Sequence, residues 1–149
     1  NPNGKVTRAQ LAVMIARALE LTPTSASTPF SDTVGKWYEQ DVQALYDAGM
    51  ISGTSANNFN GDQTLTRQQA VLMLNQIVKK YSKDNYNTSL ESNFLDVNKI
   101  AENAKDAVLM FESNGIISGD KGYFNPQGDL TRAQIAKMLY GTLKLTGNL

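Results

Sequence analysis

One short pattern occurs three times in this chain, and it governs how the rest can fold. Val6-Thr7-Arg8-Ala9-Gln10-Leu11 is matched by Leu65-Thr66-Arg67-Gln68-Gln69-Ala70 and by Leu130-Thr131-Arg132-Ala133-Gln134-Ile135. Thr-x-x-Gln is a capping box: the threonine hydroxyl accepts from the third helical N–H, and the glutamine side chain accepts from the threonine's own N–H. Apolar residues flank each box, as a hydrophobic staple requires, with Val6/Leu11 and Leu130/Ile135 the better pairs. An apolar stripe at helical spacing follows each start: Leu11, Met14, Ile15, Ala18; Ala70, Met73, Leu74, Ile77; Ile135, Met138, Leu139, Thr142. Three equivalent amphipathic helices are expected, each burying its stripe.

Other pieces recur in the same order, at a period of about 65 residues. Phe30-Ser31-Asp32 matches Phe94-Leu95-Asp96, and Gly49-Met50-Ile51-Ser52-Gly53 matches Gly115-Ile116-Ile117-Ser118-Gly119. Phe59-Asn60-Gly61 matches Phe124-Asn125-Pro126. The start of the chain matches only the later part of this unit. The expected organisation is therefore the second half of one repeat (1–28), then two whole repeats (29–92 and 93–149), forming one folded domain. Each repeat reads as short helix, loop, long helix. The short helices are expected over Trp37–Ala48 and Ile100–Asn114, with Val42/Leu45 and Val108/Phe111 facing inward. Gly49 and Gly115 end them as left-handed caps. The loops Ile51–Thr64 and Ile117–Asp129 carry turn residues, while 22–28 and 82–93 read as linkers. The fold class is all-α, with the three long helices around a pseudo-threefold axis and the first repeat incomplete at its N-terminal side.

Composition narrows the function. Lys+Arg and Asp+Glu are both 14, which argues against a nucleic-acid partner. Cysteine and histidine are absent, so thiol chemistry, Cys/His metal sites and the commonest general base are excluded. No apolar run approaches the ~20 residues of a membrane span. The first residue is Asn1, without a leader pattern, and the truncated first repeat favours a piece of a longer protein over a processed terminus.

Arginine is the anomaly. The chain has four, and Arg8, Arg67 and Arg132 stand at the same position, the first of a helix, where the dipole disfavours a cation by ~0.3–1 kcal/mol. Two readings are open. A guanidinium fork beside a helix start, with its unsatisfied N–H groups, is an anion site. Alternatively, Asp32 and Asp96 pair with the arginines across repeats. On the first reading Arg8→Ala should leave stability nearly unchanged.

The F-x-D, G-I-I-x-G and T-R-A elements, in this order over essentially the whole chain, resemble the S-layer homology family. The resemblance implies an extracellular module at the bacterial cell surface that anchors proteins non-covalently to the cell wall, without catalysis or cofactor. Its implied partner is a secondary cell wall polysaccharide bearing pyruvylated N-acetylmannosamine, held in grooves between repeats. Carried over residue by residue, Arg8 shares a groove with Asp32, Trp37, Gly49 and Gly53; Arg67 shares one with Asp96, Gly115 and Gly119; Arg132 faces the incomplete first repeat, whose other wall comes from upstream residues or another chain. Trp37 reads as a sugar platform or as a half-buried anchor of its helix. Gln replaces the family's usual Glu in all three motifs, which leaves each arginine without a neighbouring acid. Gln68 replaces its usual alanine and is expected to crowd the second groove. Counted back from the capping glycine, Asn103 stands where Trp37 does.

Three other readings compete for the residues. An enzyme would need paired acids, and no pair such as Glu39/Asp41 recurs with the repeat. The loops 57–62 and 120–125 are oxygen-rich but lack the alternating acids and terminal glutamate of an EF-hand, so no metal site is expected. A structural assembly module of the S-layer, its arginines closing a trimer, is the alternative function.

Overall fold

The computed structural model describes residues 3–25, 28–55, 57–82, 86, 88 and 91–149. The linkers expected at 22–28 and 82–93 lie partly outside them. All three boxes start helices: α1 (Arg8–Ala18), α3 (Arg67–Tyr81) and α5 (Arg132–Leu145). Each threonine Oγ1 accepts the third N–H, at 3.2, 3.3 and 3.1 Å in chain order, and each glutamine Oε1 accepts the threonine N–H at 2.9–3.0 Å. The short helices are α2 (Glu39–Asp47) and α4 (Glu102–Ser113). Five α-helices and no strand occur among the described residues, so the chain is all-α.

Both short helices end where expected. Gly49 and Gly115 adopt φ of 71° and 72°, and the next amide reaches back to the carbonyl of Leu45 or Phe111, at 2.9 Å in both. No atom lies within 4 Å of a β-carbon built on either glycine, so conformation alone selects the residue. The α2 start differs from the expectation. Trp37 precedes the helix and is 63% exposed, while its neighbour Tyr38 is 2% exposed and is the buried anchor. One-turn 3₁₀ helices at Ser31–Thr33 and Val97–Lys99, ahead of α2 and α4, have no periodic signal in the sequence.

The chain divides into two compact units: Val6–Thr64, and Leu65–Leu149 with residues 3–5. In the first, α1 packs on α2 over Leu11, Ile15, Leu45 and an aromatic cluster. Phe30 and Phe59 are centred 5.7 Å apart, and Phe59 and Tyr38 6.3 Å. The expected α1 stripe is shifted: Met14 is half-buried and Ala18 exposed, whereas Ala9, Ala12, Val13 and Ala16 are buried. Small residues let this helix bury a wider face than a single stripe. In the second unit α3 packs on both α4 and α5, and the α3 and α5 stripes are fully buried as read. Phe94 and Phe124 reproduce the Phe30–Phe59 pair at 5.5 Å. Removing one such side chain, as in Leu74→Ala, costs ~2–5 kcal/mol.

Candidate functional site

The two units build the same constellation. In the first, Asp32 accepts the N–H of Phe59 at 2.9 Å and of Asn60 at 2.8 Å. In the second, Asp96 accepts those of Phe124 and Asn125, both at 2.9 Å. The recurring F-x-D and F-N motifs are thus two halves of one joint. The asparagine recurs because its φ is positive, 55° at Asn60 and 58° at Asn125, a region that asparagine tolerates better than most residues. Gly53 and Gly119 recur for lack of space. A β-carbon there would lie 2.6 Å from the Phe30 or Phe94 ring, and 2.3 Å from Asn58 O or 2.6 Å from Tyr123 O.

This loop then plugs a helix start. The N–H groups of Arg8 and Ala9 donate to Gln63 O (3.0 Å) and Gly61 O (2.9 Å). Those of Arg67 and Gln68 donate to Gly128 O (2.8 Å) and Pro126 O (3.1 Å), and Arg132 N–H donates to Gly4 O at 3.2 Å. The first turns of α1 and α3 are therefore occupied, contrary to the expectation of open amides awaiting an anion. The plugging also answers why a cation is tolerated there. The loop brings carbonyl oxygens to the positive end of the helix, and their partial negative charge offsets the dipole.

The arginines use these loops as well. Arg8 Nε donates to Phe59 O at 2.9 Å, its Nη2 to Ser52 O at 3.3 Å, and its guanidinium lies 4.8 Å from the Phe59 ring centre. Arg67 Nε donates to Phe124 O at 2.7 Å, with its guanidinium 5.7 Å from the Phe124 ring centre. Neither forms an ion pair with Asp32 or Asp96, whose oxygens serve the backbone. Burial lowers both guanidinium pKa values, partly opposed by the charge of Asp32 at Arg8 and of Asp120 at Arg67. Burial alone would raise the Asp96 carboxyl. The N–H groups of Phe124, Asn125 and Asp96 itself, with the Lys99 charge, outweigh it and hold the pKa below the usual carboxylate value.

The two constellations then diverge. Arg8 meets backbone carbonyls through Nε and one terminal nitrogen, Nη2. The terminal nitrogens of Arg67 have no hydrogen-bond or ion-pair partner among the described residues, and Arg67 lines an open cleft of about 670 Å³. Lys99, Asp96, Asp120, Tyr123, Gln134 and the turn 125–129 complete its lining. Gly115 and Gly119, expected in this groove, are not in its lining: the first caps α4 and the second packs against Phe94 and Tyr123 O. Gln68 is not part of the lining: it is buried, and its Oε1 accepts Ala101 N–H at 2.9 Å. Arg132 is exposed and makes no side-chain hydrogen bond or ion pair among the described residues. Trp37 stands edge-on to Tyr38 at 5.3 Å, exposed rather than half-buried. Asn103 lies inside the first turn of α4, because α4 has 12 residues against 9 in α2, so counting from the glycine does not match it to Trp37.

Phe59, Phe124, Lys99, Asp120 and Tyr123 were not singled out from sequence as site residues. The two phenylalanines had a signal, their recurrence in register one residue before the asparagine. Lys99, Asp120 and Tyr123 recur nowhere and gave none.

Helix, glycine-capped turn, loop and arginine-started helix, repeated, define a repeat-built all-α module. The chain belongs to the S-layer homology domain family, whose model matches residues 29–71 and 93–136. It is similar to an amylopullulanase of Thermoanaerobacterium thermosulfurigenes (31% identity, 99% of this chain, 8% of that protein). It is also similar to an endoglucanase of Bacillus sp. strain KSM-635 (33%, 93% and 15%) and to the surface-layer 125 kDa protein of Lysinibacillus sphaericus (28%, 91% and 11%). The chain thus spans 8–15% of the length of these relatives, and the enzyme-named ones match it through that small segment alone. It is an anchoring module of the bacterial cell surface, extracellular and associated with the cell wall.

Proposed function

We propose that this module holds the wall by binding an acidic secondary polysaccharide carrying pyruvylated N-acetylmannosamine, with the arginine of a long helix receiving the ketal carboxylate. The observation that carries the reading is Arg67: a guanidinium tethered at Nε, its terminal nitrogens unpartnered among the described residues, in a side chain that lines an open cleft. A fork fixed at one end presents two parallel donors to a planar carboxylate without losing much side-chain freedom on binding. Asp96 serves by anchoring the loop that carries the tether, and Gly115 and Gly119 by letting that loop turn. Asp32, Gly49, Gly53 and Trp37 have the equivalent roles around Arg8, and Arg132 is the third arginine of the set. The division into repeats at 1–28, 29–92 and 93–149 belongs to this proposal. The enzyme and surface-layer names among the relatives support a further part of it, that the module ties a larger polypeptide to the wall.

The test is calorimetric titration with wall polymer before and after removal of pyruvate. A charge-assisted hydrogen bond contributes ~1.5–3 kcal/mol, so depyruvylation should weaken binding by roughly ten- to a hundredfold. Equal affinity for the two polymers would refute the assignment.

One observation favours a second, structural role at the first site. Arg8 has Nε and Nη2 on backbone carbonyls and clasps its loop. That supports the assembly-module alternative for this arginine, and it is separated from the binding role by whether Arg8→Ala costs stability or affinity.

A further inference from the structure

The Arg67 cleft has no tryptophan, yet it has an aromatic face. Tyr123 lines it and is 45% exposed, so its ring is open to a ligand in the cleft. Its backbone is rigidly set. Asp120 N–H donates to Tyr123 O and Tyr123 N–H to Asp120 O, both at 2.9 Å. The two residues between them, Lys121 and Gly122, have φ of 52° and 88°, the two-residue hairpin turn with both central angles positive. Leu95 fixes the turn from below. Its N–H donates to Gly122 O at 2.8 Å, and its side chain lies 3.1 Å from where a Gly122 β-carbon would stand. The corresponding loop of the first unit is one residue longer between glycine and phenylalanine and carries Asn58 ahead of Phe59. There Trp37, on a different segment, is an exposed aromatic.

We infer that Tyr123 is the sugar platform of the Arg67 cleft, taking in the third repeat the part that Trp37 takes in the second, and that the cleft accepts one acidic pyranose ring. The inference rests on the wall-polysaccharide reading above. The carboxylate meets the Arg67 fork, an apolar C–H face of the ring covers Tyr123, and Asp120 beside it accepts from ring hydroxyls. The charge pattern selects this class of ligand. Arg67 and Lys99 are positive, Asp96 and Asp120 are negative, and Asp129, also in the lining, is paired with Lys5 at 3.1 Å. A wall of mixed sign suits a molecule with one carboxylate and many hydroxyls, and repels a polyphosphate.

The experiment compares the intact chain with Arg67→Ala, Tyr123→Ala and Tyr123→Phe by calorimetry, using pyruvylated wall polymer, with inorganic polyphosphate as competitor. Tyr123 is exposed, so circular dichroism should show every Tyr123 variant folded. Tyr123→Ala should weaken binding roughly five- to tenfold, the effect of uncovering about half a ring face, while Tyr123→Phe stays within about twofold. Polyphosphate should not displace the polymer. If Arg67→Ala loses affinity but Tyr123→Ala binds like the intact chain, the platform is refuted while the polysaccharide reading survives. If Tyr123→Phe is as weak as Tyr123→Ala, the hydroxyl and not the face makes the contact, and the platform is again refuted. If the intact chain ignores pyruvate, the underlying reading fails first.

Discussion

Arg8→Ala is the substitution on which the two accounts of the arginines disagree most. An arginine waiting for an external anion would leave the free protein indifferent to its loss. The structure gives Arg8 two hydrogen bonds to backbone carbonyls, at 2.9 Å to Phe59 and 3.3 Å to Ser52, and a ring contact at 4.8 Å. A charged donor to a part-buried carbonyl contributes ~1.5 kcal/mol or more, the longer exposed bond less, and the cation–π contact ~0.5–1 kcal/mol. The guanidinium's own desolvation, visible in its lowered pKa, offsets part of this. A net loss of about 2 kcal/mol follows, or roughly 4–8 °C in Tm for a chain of this size. Arg132→Ala is the internal control: the same position in the motif, an exposed side chain, and a change within ~0.5 kcal/mol. Thermal unfolding by circular dichroism at 222 nm, repeated in urea, reads both. Equal Tm values for the two variants would show that the carbonyl contacts of Arg8 contribute nothing, and the clasp would have to be abandoned.

Two further outcomes follow from the loop joint. The Asp96 pKa is lower folded than unfolded, so the native state binds fewer protons between the two values; its contribution is complete above about pH 4 and is lost as pH falls through the native pKa. Urea midpoints from pH 6 down to 2 should therefore fall more steeply for the intact chain than for Asp96→Asn, which should also be ~1–3 kcal/mol less stable at neutral pH. Gly119→Ala should cost more than Gly115→Ala, although both glycines have positive φ. At Gly115 only the conformational term of ~1–2 kcal/mol applies, whereas at Gly119 the new carbon meets Phe94 and Tyr123 O, both at 2.6 Å. Equal midpoints for the two variants would remove the steric argument.

What could be read in advance was whatever the backbone dictates locally. Thr-x-x-Gln names both partners of a capping box within four residues, and a glycine after an apolar-periodic run names its own φ. These elements stand where the sequence placed them. The α3 and α5 stripes were legible because large apolar residues recur at helical spacing. The α1 stripe was not, because Ala9, Ala12 and Ala16 bury as readily as they expose. The arginine was legible as an anomaly but not in its resolution, which depends on carbonyls 44 and 51 residues away along the chain. Nor does any local rule tell that Asp32 and Asp96 would spend their oxygens on backbone N–H groups instead of a guanidinium. Gln68 looked like an obstruction only until its partner, the Ala101 amide, was in view.

The division at Thr64 and Leu65 cuts the second sequence repeat through its middle, between a loop and the helix that follows it. What folds together is a helix start and the loop that arrives one repeat later to stopper it. Anyone grafting grooves between relatives should therefore splice at such mid-repeat seams. A graft joined at 28/29 or 92/93 would deliver every loop to a foreign helix, and every arginine to carbonyls it had not evolved beside.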